Sequence, residues 1–169
     1  MSQTPPPFQA FLDEHHEPVL AFLRGMVGPQ EADDCLQETF LAALRAYPRA
    51  DARNLRAWVL TIARRKAIDH ERGRSRRADP VADPAELAGG AIDGRMPGMS
   101  ERDGEIWTAV GSLPEGQRAA VLLRFAVDLR YRDIGRALGC SEQAARQRVR
   151  EGLGRLRTEA DVGRKERAA

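Results

Sequence analysis

Apolar residues recur at intervals of three and four along the first part of the chain, which is the period of an amphipathic helix. One stripe runs from Phe8 to Val27 and stops at GMVGPQ. A second begins near Pro29, and a third begins after DARN, where Asn54 can cap a helix. The positions expected to face the core are Phe8, Phe11, Leu12, Val19, Leu20, Phe22, Leu23 and Val27, then Ala32, Cys35, Leu36, Phe40, Leu41 and Leu44, then Leu55, Trp58, Val59, Ile62 and Ile68.

The last third of the chain repeats this period in shorter runs. Ser112 and Pro114 mark the start of one helix. Further on, Gly139 allows a turn and Ser141 can cap a final helix, with Glu142 in its first turn. The core positions expected here are Val121, Leu122, Phe125, Leu129, Ile134, Ala137, Leu138, Ala145, Val149, Leu153 and Leu156. Neither part shows the strict alternation of strands, so the prediction is an all-α protein.

Residues 78–104 interrupt the helical pattern. This segment holds three prolines and five glycines and has little apolar period, which is typical of a linker. The chain is therefore predicted to form two small helical domains, residues 1–77 and 105–160, joined by a flexible acidic linker and followed by a polar tail at 161–169. Fully extended, the linker would span about 90 Å, so it could not by itself fix the spacing of two binding sites.

The net charge is only +2, but the charges are unevenly distributed. Residues 1–77 carry twelve basic and ten acidic side chains, residues 78–105 carry two and seven, and residues 106–169 carry thirteen and eight. Basic ends around an acidic middle favour a nucleic-acid partner for the ends. Chance variation over a solvated surface is the alternative.

The last two helical runs have the organisation of a helix-turn-helix. Because the apolar positions of the final run face inward, its outward side carries Gln143, Arg146, Gln147 and Arg150. Arginine can donate twice to guanine and glutamine can pair twice with adenine, so this side has the chemistry of major-groove recognition. Two packed helices with a solvated basic face are the alternative interpretation.

Two further polar clusters lie in the first domain. Acidic residues early in the second helix are favoured by the helix dipole, but the dipole does not explain why Asp34, Gln37 and Glu38 share one outward face. The third helix ends in more basic residues than its dipole needs, and such a helix end can follow a phosphate backbone. These basic residues are Arg64, Arg65, Lys66, Arg72, Arg74, Arg76 and Arg77.

Several classes of protein are disfavoured. The N-terminus has no basic stretch ahead of an apolar core, and the apolar runs are too short to cross a bilayer, so a cytoplasmic protein without membrane insertion is expected. Cys35 and Cys140 lie in different helical patterns and are interpreted as reduced, buried thiols. His15 and His16 are adjacent and lack the i, i+4 spacing of a zinc helix. We therefore expect no metal, no cofactor and no enzymatic activity.

Three segments together resemble one family. They are ADDCLQETFLAALRAY, NLRAWVLTIARRKAIDHERGR and LPEGQRAAVLLRFAVDLRYRDIGRALGCSEQAARQRV, and they cover both domains. In order and spacing they are similar to regions 2 and 4 of bacterial sigma factors of the extracytoplasmic-function group. The resemblance implies a subunit that binds core RNA polymerase and directs initiation at promoters with minus-10 and minus-35 elements, with an anti-sigma factor as a further candidate partner. A stand-alone helix-turn-helix regulator is the alternative.

The resemblance also implies roles for individual residues. Region 2 would dock on the clamp helices of the polymerase β′ subunit through Asp34, Gln37 and Glu38. The minus-10 element would be opened and held by Asn54, Arg56, Trp58, Arg64, Arg65, Asp69 and Arg72, although Trp58 also fits the core. The region 4 scaffold would sit on the β flap, and the minus-35 element would be read by Ser141, Gln143, Arg146, Gln147, Arg148 and Arg150.

The chain departs from the family pattern at a few of these positions. Arg65 stands where the family often has asparagine. Gln143 and Ala144 replace a frequent Gly-Thr pair, and Glu151 stands at the position of a common arginine. The promoter sequence therefore does not follow from the resemblance.

Overall fold

The computed structural model describes residues 5–78 and 100–168, and every regular element in these two ranges is helical. The all-α prediction is therefore confirmed. The linker predicted at 78–104 lies mostly outside the described residues. Two 3-10 turns, Tyr47–Arg49 and Ala52–Asn54, precede the third helix. The helices are α1 (Phe8–Val27), α2 (Pro29–Ala46), α3 (Leu55–Ala78), α4 (Glu101–Ser112), α5 (Glu115–Phe125), α6 (Tyr131–Leu138) and α7 (Glu142–Ala168).

The N-terminal domain, formed by α1, α2 and α3, packs around a cluster of aromatic rings. Phe11 lies at its centre and is fully buried. The ring centroids of Tyr47, Trp58 and Phe40 lie 5.0, 5.9 and 6.1 Å from that of Phe11. Aromatic pairs at such distances add to the stability gained from burying their apolar area. The cluster thus joins all three helices at one end of the domain.

Local backbone signals set where these helices begin. Gly28 has a φ of 88° and separates α1 from α2 by a single residue, a conformation that glycine adopts without strain. Pro29 then occupies the first position of α2, where its missing N–H has no intrahelical partner to lose. At the start of α3 the Asn54 side chain accepts the backbone N–H of Ala57 at 3.1 Å, as the predicted cap requires.

The turn between α6 and α7 depends on two glycines. Gly139 takes the left-handed conformation with a φ of 66°, as the turn prediction requires. Gly135 makes a close backbone approach: a Cβ placed on it would lie 2.7 Å from the carbonyl oxygen of Cys140. The Ser141 hydroxyl then accepts the backbone N–H of Ala144 at 3.1 Å and caps α7. The predicted helix-turn-helix is thus present.

The apolar period does not predict α4, which covers the end of the predicted linker. The signal lies in its cap, because Ser100 accepts the backbone N–H of Asp103 at 3.2 Å and donates to the Asp103 carboxylate at 2.7 Å. At the other end of the domain, α7 continues to Ala168 through the segment predicted to be a polar tail.

Three apolar residues expected in the core are exposed, so those expectations are wrong. Leu41 and Leu44 are 53% and 49% exposed, because α2 meets α1 and α3 through a different stripe. Successive helical positions are about 100° apart, which places Leu41 on the side opposite this stripe. Phe125 is 61% exposed because it is the last residue of α5. Cys140 is half-buried and not fully buried.

The C-terminal domain, formed by α4 to α7, packs directly on the N-terminal domain. Its α5 contacts α1 and its α6 contacts α3, so the two domains share one continuous apolar core. Gly25 of α1 provides the room for this contact. A Cβ placed on Gly25 would lie 2.4 Å from a methyl carbon of Leu122 and 3.0 Å from the ring of Trp107.

The aromatic cluster generates a stability prediction. Phe11→Ala removes the central ring and should lower the free energy of unfolding by about 3 to 5 kcal/mol, because a cavity remains among the surrounding rings. Urea denaturation measures this change. Leu41→Ala is the control, since its exposed side chain should alter stability by no more than about 0.5 kcal/mol. Equal losses in the two variants would contradict the placement of both residues.

Candidate functional site

Four polar side chains form one exposed outer face on α7. On the opposite side of the helix, Ala145 is fully buried and Val149 is 2% exposed. This is the arrangement that the apolar spacing predicts, and it points a row of amide and guanidinium donors away from the protein. The members of this α7 outer face are Gln143, Arg146, Gln147 and Arg150.

Arg146 of the α7 outer face is held in place by two neighbours, Glu142 on α7 and Tyr131 on α6. Its guanidinium donates to a carboxylate oxygen of Glu142 at 2.8 Å. The same group lies 4.6 Å from the ring centroid of Tyr131, the first residue of α6, and is attracted to the ring face. The spacing of the predicted reading residues gives no sign of Tyr131, because the contact joins two helices.

The other two residues predicted to read DNA from α7 have different surroundings. Ser141 is exposed, but its hydroxyl is engaged as the cap of the helix. Arg148 is half-buried and packs beside Gly116 of α5. The structure therefore gathers four of the six predicted residues on one outward face.

Three residues predicted to act on the minus-10 element contact the C-terminal domain. The Asn54 amide donates to the carboxylate of Asp133 at 2.5 Å. Arg56 donates to the carbonyl oxygen of Val127 at 2.5 Å. Arg64 donates to both carboxylate oxygens of Glu115, at 2.8 and 2.9 Å. Two helices and a loop of the C-terminal domain thus contact this part of α3 and its cap, where Asn54 and Arg64 are half-buried and Arg56 is exposed.

The remaining predicted minus-10 residues divide into two groups. Trp58 is half-buried in the aromatic cluster, 5.9 Å from Phe11 and 6.2 Å from Tyr47 between ring centroids, which favours the core role for this residue. Arg65, Asp69 and Arg72 are exposed further along α3. The seven predicted residues therefore do not form one open surface in this structure.

The outward side of α2 combines acidic, amide and apolar groups, and we call it the docking face. It comprises Asp34, Gln37, Glu38, Leu41 and Leu44, all of which are exposed. Glu38 also pairs with Lys66 of α3 at 3.4 Å. Leu41 and Leu44 lie one helical turn apart, so their exposed side chains form one small apolar patch beside polar groups. The apolar period of the sequence predicts both leucines in the core, so it fails to predict their exposure.

The titratable groups offer little chemistry. Burial, with smaller contributions from Glu38, Glu31 and Asp34, raises the pKa of the Cys35 thiol to about 11, so this thiol stays protonated near neutral pH. Burial also lowers the pKa of His15.

In the two described ranges, no cluster of three or more His, Cys, Asp or Glu side chains could hold a metal ion. No helix among the described residues is long and apolar enough to cross a membrane.

Comparisons with known proteins identify the family of this chain. The family model for sigma-70 region 2 matches residues 11–77, and the model for sigma-70 region 4 matches residues 103–156. The chain is 36% identical over 157 residues to the ECF RNA polymerase sigma factor SigC of Mycobacterium tuberculosis, covering 90% of this chain and 83% of that protein. It is 34% identical over 135 residues to SigF of Caulobacter vibrioides, covering 78% and 73%.

Two solved structures share the fold. The sigma factor RpoE of Bartonella quintana, in complex with the anti-sigma factor NepR, superposes with a TM-score of 0.74 at 23% identity over 92% of this chain and 97% of that one. CnrH, in complex with the cytosolic domain of CnrY, gives a TM-score of 0.68 at 23% identity over 92% and 88%. The N-terminal domain is therefore region 2 and the C-terminal domain is region 4. The chain belongs to the bacterial RNA polymerase sigma factors of the extracytoplasmic-function group, which direct transcription initiation.

Proposed function

We propose that this sigma factor uses three separate surfaces. The docking face of α2 binds core RNA polymerase, α3 and its cap hold the minus-10 element, and the α7 outer face reads the minus-35 element. The observation that carries the proposal is the exposure of Leu41 and Leu44 beside Asp34, Gln37 and Glu38. A stand-alone regulator that binds only DNA would not need an exposed apolar and acidic surface for a protein partner.

The docking face suits a protein partner. Its leucines can bury apolar area on contact, which drives association. The acidic and amide groups at Asp34, Gln37 and Glu38 can pair with a basic partner surface and fix its orientation. The resemblance to the family supports the β′ clamp helices as that partner and the β flap as the partner of the region 4 scaffold.

The two DNA surfaces differ in chemistry. Arg56, Arg65 and Arg72 are exposed along α3 and can contact phosphates, which gives affinity without sequence information. The α7 outer face carries side chains that can donate to base edges in the major groove. Recognition of the promoter sequence would therefore depend mainly on α7, and binding of the minus-10 strand would depend on α3.

Other aspects of the proposal follow from the family. We expect a non-enzymatic polymerase subunit without cofactor that works beside polymerase in the cytoplasm. Both structural neighbours were solved with protein partners, one of them named as the anti-sigma factor NepR. An anti-sigma factor is therefore a candidate partner of this chain as well.

Run-off transcription tests the function directly. Core RNA polymerase supplied with this chain should initiate at discrete positions on fragmented genomic DNA, and mapping the starts should reveal two common upstream elements. Core alone is the control. Failure of the chain to copurify with core, together with sequence-specific DNA binding by the chain alone, would favour the stand-alone regulator.

Replacement of two docking-face residues tests the polymerase surface. Asp34→Ala with Gln37→Ala should weaken core binding about tenfold or more, because interface residues that matter contribute above about 1 kcal/mol. Gln9→Ala with Asp13→Ala is the matched control, since this exposed amide–carboxylate pair on α1 lies outside the docking face. Titration of labelled chain with core measures both. Unchanged affinity with unchanged helicity in the first variant would contradict the assignment.

Truncation of Arg146 tests the α7 outer face. Arg146→Ala should weaken binding to the preferred minus-35 sequence by about 1 to 3 kcal/mol and relax specificity at one minus-35 position. Arg155→Ala is the comparison, because an arginine that meets only phosphate should weaken all sequences alike. Initiation from a library of minus-35 variants measures both effects. A wild-type pattern of preferences with uniformly lower activity would make Arg146 a backbone contact.

The Tyr131 ring under Arg146 generates a companion test. Tyr131→Leu removes the face on which the guanidinium lies and should relax the same minus-35 position as Arg146→Ala. Tyr131→Phe keeps that face and should retain the preference. Equal preferences in the two Tyr131 variants would show that the ring does not position Arg146.

A further inference from the structure

Three hydrogen-bonded side chains connect the α7 outer face to α5. The Gln147 amide nitrogen donates to one carboxylate oxygen of Glu151 at 2.9 Å. The Gln117 amide nitrogen on α5 donates to the other carboxylate oxygen at 3.1 Å. We propose that Glu151 is a positioning residue for DNA recognition, which orients the Gln147 amide so that it prefers adenine at one minus-35 position. The inference rests on the proposed function, because it uses the assignment of Gln147 to the minus-35 element.

The carboxylate of Glu151 leaves the Gln147 amide one favourable orientation. A glutamine side chain ends in an acceptor oxygen and a donor nitrogen of similar size, so an unrestrained amide can present either end to a base. An ionised carboxylate only accepts hydrogen bonds. The nitrogen of Gln147 therefore faces Glu151, because the reversed amide would bring its oxygen against a carboxylate oxygen. The side on which the Gln147 oxygen lies is fixed as a result.

An amide with a fixed orientation distinguishes the two purines in the major groove. Adenine presents an acceptor at N7 beside a donor at N6, whereas guanine presents two acceptors, N7 and O6. The Gln147 oxygen can accept from adenine N6, and its nitrogen keeps a second hydrogen for N7 after it donates to Glu151. Guanine would instead bring O6 against the Gln147 oxygen. An amide that turns freely avoids this repulsion by presenting its NH₂ group to guanine.

Glu151 is itself supported from the side of α5. It lies one turn beyond Gln147 and is rotated from it by about 40° around the helix, and Gln117 approaches it there. The two helices are close at this point: a Cβ placed on Gly152 would lie 2.8 Å from a methyl carbon of Val121 and 3.5 Å from the Cβ of Gln117. This close approach keeps the Gln117 amide within reach of the carboxylate.

The orientation of Gln117 indicates how strongly Glu151 determines its neighbours. The Oε1 atom of Gln117 is buried and has no hydrogen-bond partner in the described part of the chain. A buried acceptor without a donor is unfavourable. Reversing the amide would expose the carboxylate to that oxygen and lose the hydrogen bond to Glu151. The amide keeps its orientation because a hydrogen bond to a charged acceptor contributes more than one between neutral groups.

DNA binding should strengthen this arrangement. Both hydrogen bonds of Glu151 lie at the surface of the free chain, where water competes for the same groups. A duplex on the α7 outer face would exclude much of that water, and hydrogen bonds are stronger in less polar surroundings. The orientation of Gln147 therefore matters most in the complex, where the base preference is decided.

Three substitutions test the separate links of this arrangement. Glu151→Met removes the acceptor and keeps a side chain of similar length and helix propensity. Gln117→Met removes the donor behind Glu151 without changing the charge of region 4. Gln147→Ala removes the amide and identifies the minus-35 position that depends on it. Glu159→Met is the matched control, because it removes one negative charge from α7 at an exposed carboxylate that accepts from Ser112 instead.

Initiation by core polymerase from the library of minus-35 variants gives the base preference of each protein. At the position identified by Gln147→Ala, wild type should prefer adenine over guanine by about fivefold or more. Glu151→Met should lose most of that preference, and Gln117→Met should reduce it in the same direction. Glu159→Met should retain it in full. Wild-type helicity by circular dichroism verifies that each variant is folded.

Two further comparisons separate positioning of one amide from other effects. The position that Arg146→Ala relaxes should keep its preference in Glu151→Met, because a tilt of the whole helix would change both positions. In the double variant, Gln147→Ala with Glu151→Met, base preferences should equal those of Gln147→Ala alone. Activity on all minus-35 sequences should rise equally there, since a negative charge has left the surface that faces phosphates.

Several results would overturn the inference and leave the proposed function standing. A preference for adenine that survives Glu151→Met, or that is lost equally in Glu159→Met, would show that Glu151 does not orient Gln147. A new base preference in the double variant would make Glu151 a base contact in its own right. A preference for another base at the Gln147 position would overturn the orientation assigned to the amide, and an unchanged preference in Gln117→Met would overturn the support from α5.

Failure of the proposed function would be recognised separately. Absence of core-dependent transcription by wild type, or unrelaxed preferences in both Arg146→Ala and Gln147→Ala, would overturn the assignment of the α7 outer face and this inference with it. Relaxation by Arg146→Ala but not by Gln147→Ala would overturn the inference alone.

Discussion

The burial of the Arg118 guanidinium is the interaction on which the arrangement of the two domains depends. Apolar contacts such as those around Gly25 are not directional and would tolerate several positions of region 4 on region 2. A buried cation does not, because its donors have to meet acceptors within hydrogen-bond distance. Two of its acceptors lie on α1 and α3, so Arg118 converts a general tendency to associate into one defined orientation.

This orientation divides the molecule into inner and outer surfaces with different chemistry. The surfaces turned inward carry charges of both signs, and these pair across the interface: Arg64 of region 2 meets Glu115 of region 4, and Arg118 of region 4 meets Glu71 of region 2. The surfaces left outside are an apolar and acidic patch on α2 and a row of amides and guanidinium groups on α7. A chain with a net charge of only +2 can therefore present separate outer surfaces of different chemistry.

Most of the fold is predictable from the sequence because its signals are local. The apolar period predicts α1, α2 and α3, and the caps at Asn54 and Ser141 predict where two helices begin. The α7 outer face follows from the spacing of Ala145 and Val149. Locating α4 requires attention to the cap at Ser100, because its apolar positions are few.

The remaining features depend on contacts between residues far apart in the sequence. An apolar period shows that a helix has an apolar side but not how far neighbouring helices cover it. The exposure of Leu41 and Leu44 therefore cannot be predicted from the sequence of α2 alone. The pairing of Arg64 with Glu115, and the Tyr131 ring under Arg146, also join separate helices. No sequence spacing encodes such pairs, so the sequence offers candidate site residues but does not show which of them are exposed and which are engaged by another helix.

The close approach at Gly135 has a consequence for how DNA recognition can vary among related chains. Because a side chain there would push against the Cys140 carbonyl, the angle between α6 and α7 is set by the absence of a single carbon atom. Residues rise about 1.5 Å each along a helix, so a tilt of about 10° at Glu142 would move Arg150 by about 2 Å. That displacement exceeds the tolerance of a hydrogen bond to a base edge. Under the proposed function, substitutions on α7 would change which base is preferred, whereas a substitution at Gly135 would misalign the whole helix with the groove.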